Sequence, residues 1–176
     1  LALLSTPKHA MDENDLIEQI ELSKRILSCE PYGPRVTVTA MDARAVIAYG
    51  EEMGTVTRTK HPLGDVLSML GETAVLQSYF KNNILHLFSA AAWIALCFQN
   101  NRRLSRNGLV SLGLNVYPFM KSELFLPWND AEFAERLNRT IDLFVREGFL
   151  TVSGDDSETL YRAPGQTDEV FHLRAI

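Results

Sequence analysis

The chain has 176 residues, of which 46% are hydrophobic and 22% charged, and these proportions are typical of a globular protein rather than a disordered or fibrous one. The net charge of -5 argues against binding to nucleic acid through bulk electrostatics. The two cysteines, Cys29 and Cys97, have neither metal-ligand spacing nor a disulfide framework pattern, so we expect two free thiols and no metal site.

Two aspartates mark the starts of the helices predicted in the first third of the chain. Asp12 precedes apolar residues at helical spacing, and Asp42 precedes a second, shorter helical segment. Segments that alternate or that carry β-branched residues are typical of strands. In chain order we predict a helix over residues 12–28, a strand over 36–39, a helix over 43–49 ended by Gly50, and a strand over 55–60 followed by a turn at His61-Pro62-Leu63-Gly64.

The longest stretch without a formal charge runs from Ile84 to Phe98 and is interrupted only by His86 and Ser89. Its fifteen residues would form a helix about 22 Å long, which is shorter than the roughly 20 apolar residues needed to cross a bilayer. We therefore predict one long helix over residues 77–100 that is buried on most sides or lies at a membrane surface. Before it, Gly71-Glu72-Thr73 is predicted to separate a short helix from an apolar segment.

The last third of the chain is predicted to contain two helices followed by a hairpin. Ser105 can cap a helix over residues 105–114, which Pro118 ends or kinks because proline lacks a backbone N–H. Asn129 can cap a stronger helix, because apolar residues recur behind it on one face. That helix covers residues 130–146, its apolar face is Phe133, Leu137, Ile141 and Phe144, and Gly148 is its stop signal.

Residues 149–152 and 158–162 are predicted to form the hairpin, and Asp168 is predicted to begin a last helix. The fold class expected from all these elements is α+β, predominantly helical with short strands and a C-terminal β-hairpin. A helix followed by a hairpin resembles a winged helix, so a nucleic-acid-binding module is one alternative. The tip of the hairpin, residues 154–158, is acidic, whereas a wing that contacts DNA needs positive charge.

Two histidines are candidates for chemistry. His61 and Asp65 could form a base and its orienting carboxylate, but only three residues separate them, and Pro62 and Gly64 favour a plain turn. His86 lies in the apolar stretch, where a histidine bonded to a neighbouring polar group is the usual case. We therefore interpret all three residues as structural. The chain contains no P-loop, GxGxxG, GxSxG or CxxC motif, so no catalytic residue and no cofactor is assigned.

Basic residues bracket the apolar stretch and are candidates for contact with lipid phosphates or a phosphorylated substrate. The alternative is that they are solvated helix ends. The candidates for phosphate contact are Lys81, Arg102, Arg103 and Arg106. The candidates for contact with a membrane or another domain are His86, Phe88, Trp93 and Leu96.

Six sequence blocks resemble one protein family. They are ALLSTPKHAMDENDL, KHPLGDVL, YFKNNILHLF, WIALCFQNNRR, ELFLPW and TIDLFVREGFL. Together they extend over nearly the whole chain and are similar to the C-terminal region of the membrane-bound bacterial glycerol-3-phosphate acyltransferases. The resemblance implies transfer of a fatty acyl group from acyl-CoA or acyl-carrier protein to sn-glycerol 3-phosphate. The product would be lysophosphatidate, at the first committed step of phospholipid synthesis.

The same resemblance implies that the catalytic His-x-x-x-x-Asp motif lies in an upstream domain, since HPLGD does not match it. We therefore expect residues 1–176 to be one non-catalytic accessory region, cut from a longer chain at both ends, with a mixed part over 1–78 and a helical part with the hairpin over 79–176. The expected partners are the upstream domain and membrane lipid, with acyl-carrier protein as a further candidate and no nucleic acid. The expected location is the cytoplasmic face of the bacterial inner membrane, as a peripheral protein. A protein-interaction module without a link to acyl transfer is a second alternative.

Overall fold

The computed structural model describes residues 1–99, 103–153 and 158–163. Helices predominate among the described elements, and the strands form two small sheets, so the predicted α+β class is confirmed. The helices are α1 Ala2–Ser5, α2 Glu13–Cys29, α3 Ala43–Glu52, α4 Gly71–Lys81, a 3-10 helix Leu85–Phe88, α5 Ser89–Cys97, α6 Arg106–Leu124 and α7 Asp130–Arg146. The strands are β1 Ala10–Asp12, β2 Thr57–Thr59, β3 Val66–Ser68, β4 Arg103–Ser105, β5 Leu150–Val152 and β6 Thr159–Arg162.

The first half of the chain forms a small module around an antiparallel sheet of order β1-β3-β2. The central strand β3 places Leu67, which is fully buried, against the apolar sides of α1, α2 and α3. The buried core of the module consists of Leu3, Met11, Leu16, Ile47 and Leu67.

The second half packs around α7, which is the most buried long helix of the described chain. The four residues predicted as its apolar face, Phe133, Leu137, Ile141 and Phe144, are all fully buried, which confirms the prediction. Tyr117 of α6 stacks on Phe133 with ring centroids 4.1 Å apart. The Tyr117 hydroxyl donates a hydrogen bond of 2.6 Å to the backbone carbonyl of Trp128, so the buried phenol is satisfied.

The second sheet has the order β4-β6-β5 and is antiparallel throughout. The hairpin β5–β6 confirms the predicted pair of strands, with Leu150 opposite Arg162. Strand β4 was not predicted, and it pairs with β6 through Leu104 opposite Leu160. The order α5, β4, α6, α7, β5, β6 with the lone strand paired to the last one is the topology of a winged helix. The hairpin tip at 154–157 and the predicted helix after Asp168 lie outside the described residues.

Helix α2 belongs to both modules. Leu16, in its first half, is buried in the first core, whereas Leu22 and Ile26, in its second half, are buried in the second core. At its end, Glu30 forms ion pairs with Arg136 at 3.2 Å and with Arg139, both on α7. One continuous helix therefore fixes the two modules to each other.

Side-chain caps begin the helices where the sequence predicted them. Asp12 accepts a hydrogen bond from the backbone N–H of Asn14, and Asp42 accepts one from Ala45. Ser105 and Asn129 cap α6 and α7 in the same way, and Asn129 forms a full capping box with Glu132. These local bonds satisfy backbone donors that a helix cannot pair internally, which is why the starts were predictable.

The predicted single helix over residues 77–100 is wrong. Helix α4 ends at Lys81, a turn follows at Asn82-Asn83, and the 3-10 helix leads into the separate helix α5. Asparagine side chains compete with helical backbone hydrogen bonds and so favour helix ends. The break also lets Ile94 and its buried neighbours in α5 face the second core while α4 packs on α1. None of the described helices is long and apolar enough to span a membrane.

Four shorter predictions also differ from the structure. Residues 36–39 are not part of either sheet, and residues 43–52 form one helix in which Gly50 is internal. Pro118 does not end α6, which continues to Leu124. The fully buried Tyr117 holds the turn before the proline in place, so tertiary packing offsets the lost backbone hydrogen bond. The segment around Gly71 begins helix α4 instead of dividing two elements.

Gly113 of α6 is closely packed against α5 and α7. A Cβ atom at this position would lie 2.6 Å from Cδ1 of Leu137 and 3.0 Å from Nε1 of Trp93. We expect Gly113→Ala to lower the free energy of unfolding, because overpacking costs about 1–3 kcal/mol and exceeds the gain in helix propensity of up to ~1 kcal/mol. Urea unfolding followed by tryptophan fluorescence measures the change. Gly33→Ala is the control, since no atom lies within 4 Å there, and equal stability of both variants would contradict the close packing.

Candidate functional site

Helix α4 exposes its apolar side and turns its polar side inward. Val75 is 74% exposed and Tyr79 is 71% exposed, and Leu76 and Phe80 beside them are exposed as well. At 100° per residue these four positions span an arc of about 140°. An apolar stripe of that width normally faces a protein core.

The inner side of α4 contributes little apolar contact to the fold of this chain. Ala74 is buried, and Gln77, Ser78 and Lys81 are half-buried on the same side, which packs on α1. Small and polar side chains gain little free energy from burial compared with leucine or phenylalanine. The orientation of α4 is therefore the reverse of the one expected for a helix of an isolated globular protein.

Exposed apolar residues at both ends of α4 extend this surface. Leu70 precedes the helix, and Ile84 follows it. We name the whole surface the apolar face of α4; it consists of Leu70, Val75, Leu76, Tyr79, Phe80 and Ile84. Burial of one such large side chain contributes roughly 1.5–3 kcal/mol, so a group of exposed apolar side chains on one helix and at its two ends indicates a site of interaction.

A separate apolar groove of about 360 Å³ lies between α5 and α6. Trp93 and Leu96 of α5 and Met120 of α6 are among its lining residues. Trp93 is half-buried, and its indole N–H lies beside Gly113 without a hydrogen-bond partner. Leu96 is 48% exposed, whereas Phe88 is buried in the second core. Of the predicted interface residues, Leu96 alone is strongly exposed, and Phe88 is not accessible to a partner.

His86 lines a polar cavity of about 350 Å³ together with Asn82, Asn83 and Tyr32. Its ring meets the ring of Tyr32 edge to face, with centroids 4.6 Å apart. Burial lowers the pKa of His86, because the charged imidazolium loses hydration in this position. The contact is that of a packed histidine, in line with the structural interpretation of this residue.

The predicted basic residues that the structure describes have different surroundings. Arg106 forms an ion pair of 2.7 Å with Asp142 of α7. The guanidinium of Arg103 lies 5.3 Å from the ring centroid of Tyr161 on the neighbouring strand. Lys81 is half-buried on the inner side of α4, and Arg102 lies outside the described residues. A shared phosphate site formed by these side chains stays a prediction without support from their placement.

His61 and Asp65 do not form a catalytic pair. Nδ1 of His61 accepts a hydrogen bond of 3.2 Å from the backbone N–H of Leu63, which stabilises the predicted turn. The Asp65 carboxylate instead binds the guanidinium of Arg58 at 3.0 Å. His61 is exposed, so the structure places it in a surface turn and places Asp65 in the cluster around Arg58.

Arg58 is the centre of an acidic cluster in the first module. Its guanidinium binds Glu51 through two hydrogen bonds of 2.9 and 3.1 Å, and it also contacts Glu13 at 2.9 Å and Asp65 at 3.0 Å. Hydrogen bonds to these carboxylates raise the pKa of Arg58 above its already high value. One cation thus offsets part of the repulsion among three carboxylates, which α2, α3 and the residue before β3 bring together. Within residues 1–99, 103–153 and 158–163, no group of acidic, histidine and cysteine side chains could hold a metal ion.

Comparison with known proteins gives one family and a consistent set of relatives. The family described as "Glycerol-3-phosphate acyltransferase C-terminal region" matches residues 1–175. A protein of Xanthomonas axonopodis pv. citri named "Glycerol-3-phosphate acyltransferase" is 62% identical over 177 residues, which cover 100% of this chain and 20% of that protein. Proteins of the same name from Xylella fastidiosa (strain 9a5c) and Ectopseudomonas mendocina are 58% and 33% identical, and the matches cover 100% of this chain and 20% and 21% of those proteins.

The chain therefore spans about one fifth of the length of the curated relatives that it matches. No solved structure matches it.

We expect Arg58→Met to lower the free energy of unfolding by roughly 2 kcal/mol, less than the 3–5 kcal/mol typical of a fully buried pair, because the side chain is partly exposed. The loss arises from repulsion among the remaining carboxylates, so added salt should restore part of it. Arg44→Met is the matched control, since Arg44 is exposed and contacts Glu13 alone among these acids. Thermal unfolding at low and high salt is the measurement, and a loss in Arg58→Met that salt does not reduce would contradict the electrostatic origin.

The lowered pKa of His86 makes a prediction about acid stability. The folded chain keeps the His86 ring neutral at pH values where the unfolded chain binds a proton. The contribution of the ring to the free energy of unfolding is therefore complete above the ordinary pKa of 6.5 and is lost as the pH falls below it. We expect His86→Asn to reduce the loss of unfolding free energy between about pH 7.5 and about pH 5.5. His61→Asn, at an exposed position, is the control, and an unchanged loss in His86→Asn would refute the prediction.

Proposed function

Because the chain belongs to the family of glycerol-3-phosphate acyltransferase C-terminal regions, we propose that it is the non-catalytic C-terminal part of an enzyme that acylates sn-glycerol 3-phosphate. The match over residues 1–175 is the observation that carries this proposal. The acyl donor is acyl-CoA or acyl-carrier protein, and the product is lysophosphatidate. The reaction belongs to phospholipid synthesis.

The proposed chemistry is direct acyl transfer by a histidine base outside this chain. The base removes the proton of the 1-hydroxyl group of glycerol 3-phosphate, and the oxygen attacks the thioester carbonyl. The C–S bond breaks, the ester C–O bond forms, and the thiol of the donor leaves with a proton. Donors that stabilise the negative charge on the carbonyl oxygen lower the barrier. The separation of His61 from Asp65 supports the placement of this chemistry elsewhere in the protein.

The role proposed for this region is to pack on the catalytic part of the same polypeptide and to help hold the enzyme at the cytoplasmic face of the inner membrane. The exposed apolar face of α4 supports the first part of this role, since it provides a surface that is unfavourable in water. Exposed Leu96 on α5 stays the candidate for contact with lipid. Acyl-carrier protein is a further proposed partner through the donor that it carries.

A nucleic-acid-binding winged helix is the alternative that the topology of the second module favours. In such modules the helix before the hairpin enters the major groove. Here that helix is α7, and two of its arginines, Arg136 and Arg139, are bound to Glu30 of the neighbouring chain segment. The net charge of -5 adds repulsion from phosphate. These observations favour the accessory role over DNA binding.

The proposal is tested by comparing residues 1–176 alone with the same segment joined to its native upstream sequence. We expect acylation of glycerol 3-phosphate in lipid by the longer polypeptide only, because the catalytic base is outside this chain. Transfer of labelled acyl groups from acyl-CoA is the measurement, and the rate without protein is the control. Activity of the segment alone would contradict the non-catalytic role, and inactivity of a folded longer polypeptide would favour an interaction module without a link to acyl transfer.

A further inference from the structure

Helix α4 is amphipathic in the inverse sense, with its apolar side in solvent. We propose that the apolar face of α4, defined above, is the surface on which the remaining part of the same polypeptide docks. This inference rests on the proposed function and specifies its interface. It places the docking surface on α4 and its flanking residues, whereas most of the run Ile84–Phe98 packs inside the second module.

The contacts that α4 makes within residues 1–99, 103–153 and 158–163 do not account for its position. Its N-terminal capping residue, Leu70, has no side-chain bond to the first turn. An isolated helix of 11 residues is marginal in water, and helices of this length owe their stability to a packed apolar face. The apolar side of α4 is the exposed one, so the stabilising contact has to come from outside the described part of the chain.

The charges on α4 favour a protein surface over a bilayer as the occupant. Helices that lie in a membrane interface carry several lysines and arginines on their polar side, which bind anionic lipid. Helix α4 carries one base, Lys81, and one acid, Glu72, and therefore has no net charge from its side chains. Its largest exposed residues are Tyr79 and Phe80, and aromatic residues of this kind are enriched in the cores of protein interfaces.

The size of the surface favours a covalently linked partner. A stable complex of two free proteins needs about 20–30 residues on each side, whereas the apolar face of α4 consists of six. A partner in the same polypeptide binds at an effective concentration in the millimolar range, so a small surface suffices. The match covers about one fifth of the length of the relatives. In a polypeptide of that length, the other four fifths are the source of the partner.

A photo-crosslinking amino acid in place of Tyr79, in the full-length protein in native membranes, tests the occupant directly. We expect crosslinks to peptides of the same polypeptide outside residues 1–176. The same crosslinker in place of Phe119 of α6 is the matched control, because Phe119 is 73% exposed but lies on another helix, and we expect no such crosslink there. Crosslinks from position 79 to lipid, to a second copy or to residues 1–176, or no crosslink at all, would overturn the proposal.

A second measurement separates the interface from the fold of this region. Val75→Asp and Tyr79→Asp change exposed side chains, so they should preserve the local structure while they place a charge in the interface. We expect each to lower acylation by the full-length enzyme by about tenfold or more, which corresponds to a loss of about 1.4 kcal/mol, and Phe119→Asp to leave it unchanged. Unchanged activity in both interface variants would count against the docking surface. Inactivity of the unsubstituted full-length protein would refute the acyltransferase proposal instead, and the crosslinks would still identify the occupant.

Discussion

The fold depends on one long helix that is buried in two cores at once. Helix α2 has 17 residues, and the side chains of its two halves, Leu16 and then Leu22 with Ile26, enter different modules. Since the intervening backbone is helical, its rotation and rise fix the relative position of the modules. The ion pairs of Glu30 with Arg136 and Arg139, and the stacking of Arg136 on Trp128 at 3.9 Å, hold the end of this helix against α7.

The second half of α2 packs in the core of the second module, which has the winged-helix topology. In nucleic-acid-binding winged helices, the helix before the hairpin contacts the bases. Its counterpart here is α7, which lies at the centre of the second core. Tyr117 stacks on Phe133 of α7, and Arg136 and Arg139 of α7 form ion pairs with Glu30, the residue that follows α2. Burial and these paired charges stabilise the module.

The charged cluster around Arg58 joins elements of the first module. Arg58 binds the three carboxylates around it, and the cluster joins helices α2 and α3 to the first sheet. Asp65 is part of that cluster, which leaves His61 in an exposed turn without an acidic partner. Among the described residues, the apolar face of α4 is a group of large side chains that the fold of this chain leaves exposed. An interaction surface of this kind is what the proposed accessory role requires.

The sequence by itself determined the features that depend on neighbouring residues. Asp42 and Asn129 predicted two helix starts because their side chains bond backbone groups within three residues, and the spacing of Phe133 and Leu137 predicted the buried side of α7. Six sequence blocks also indicated the family. Strand β4 is three residues long and is defined by its pairing with β6, so no local sequence pattern predicted it.

Tertiary structure alone decided where the apolar stretch breaks and which way α4 faces. A periodic pattern shows that a helix has an apolar side but does not show whether that side meets the protein's own core. The spacing of Val75, Leu76, Tyr79 and Phe80 was visible in the sequence and would have suggested a core helix. The structure places these residues in solvent and the opposite side of α4 on α1, because residues distant in the sequence determine which side of a helix is buried.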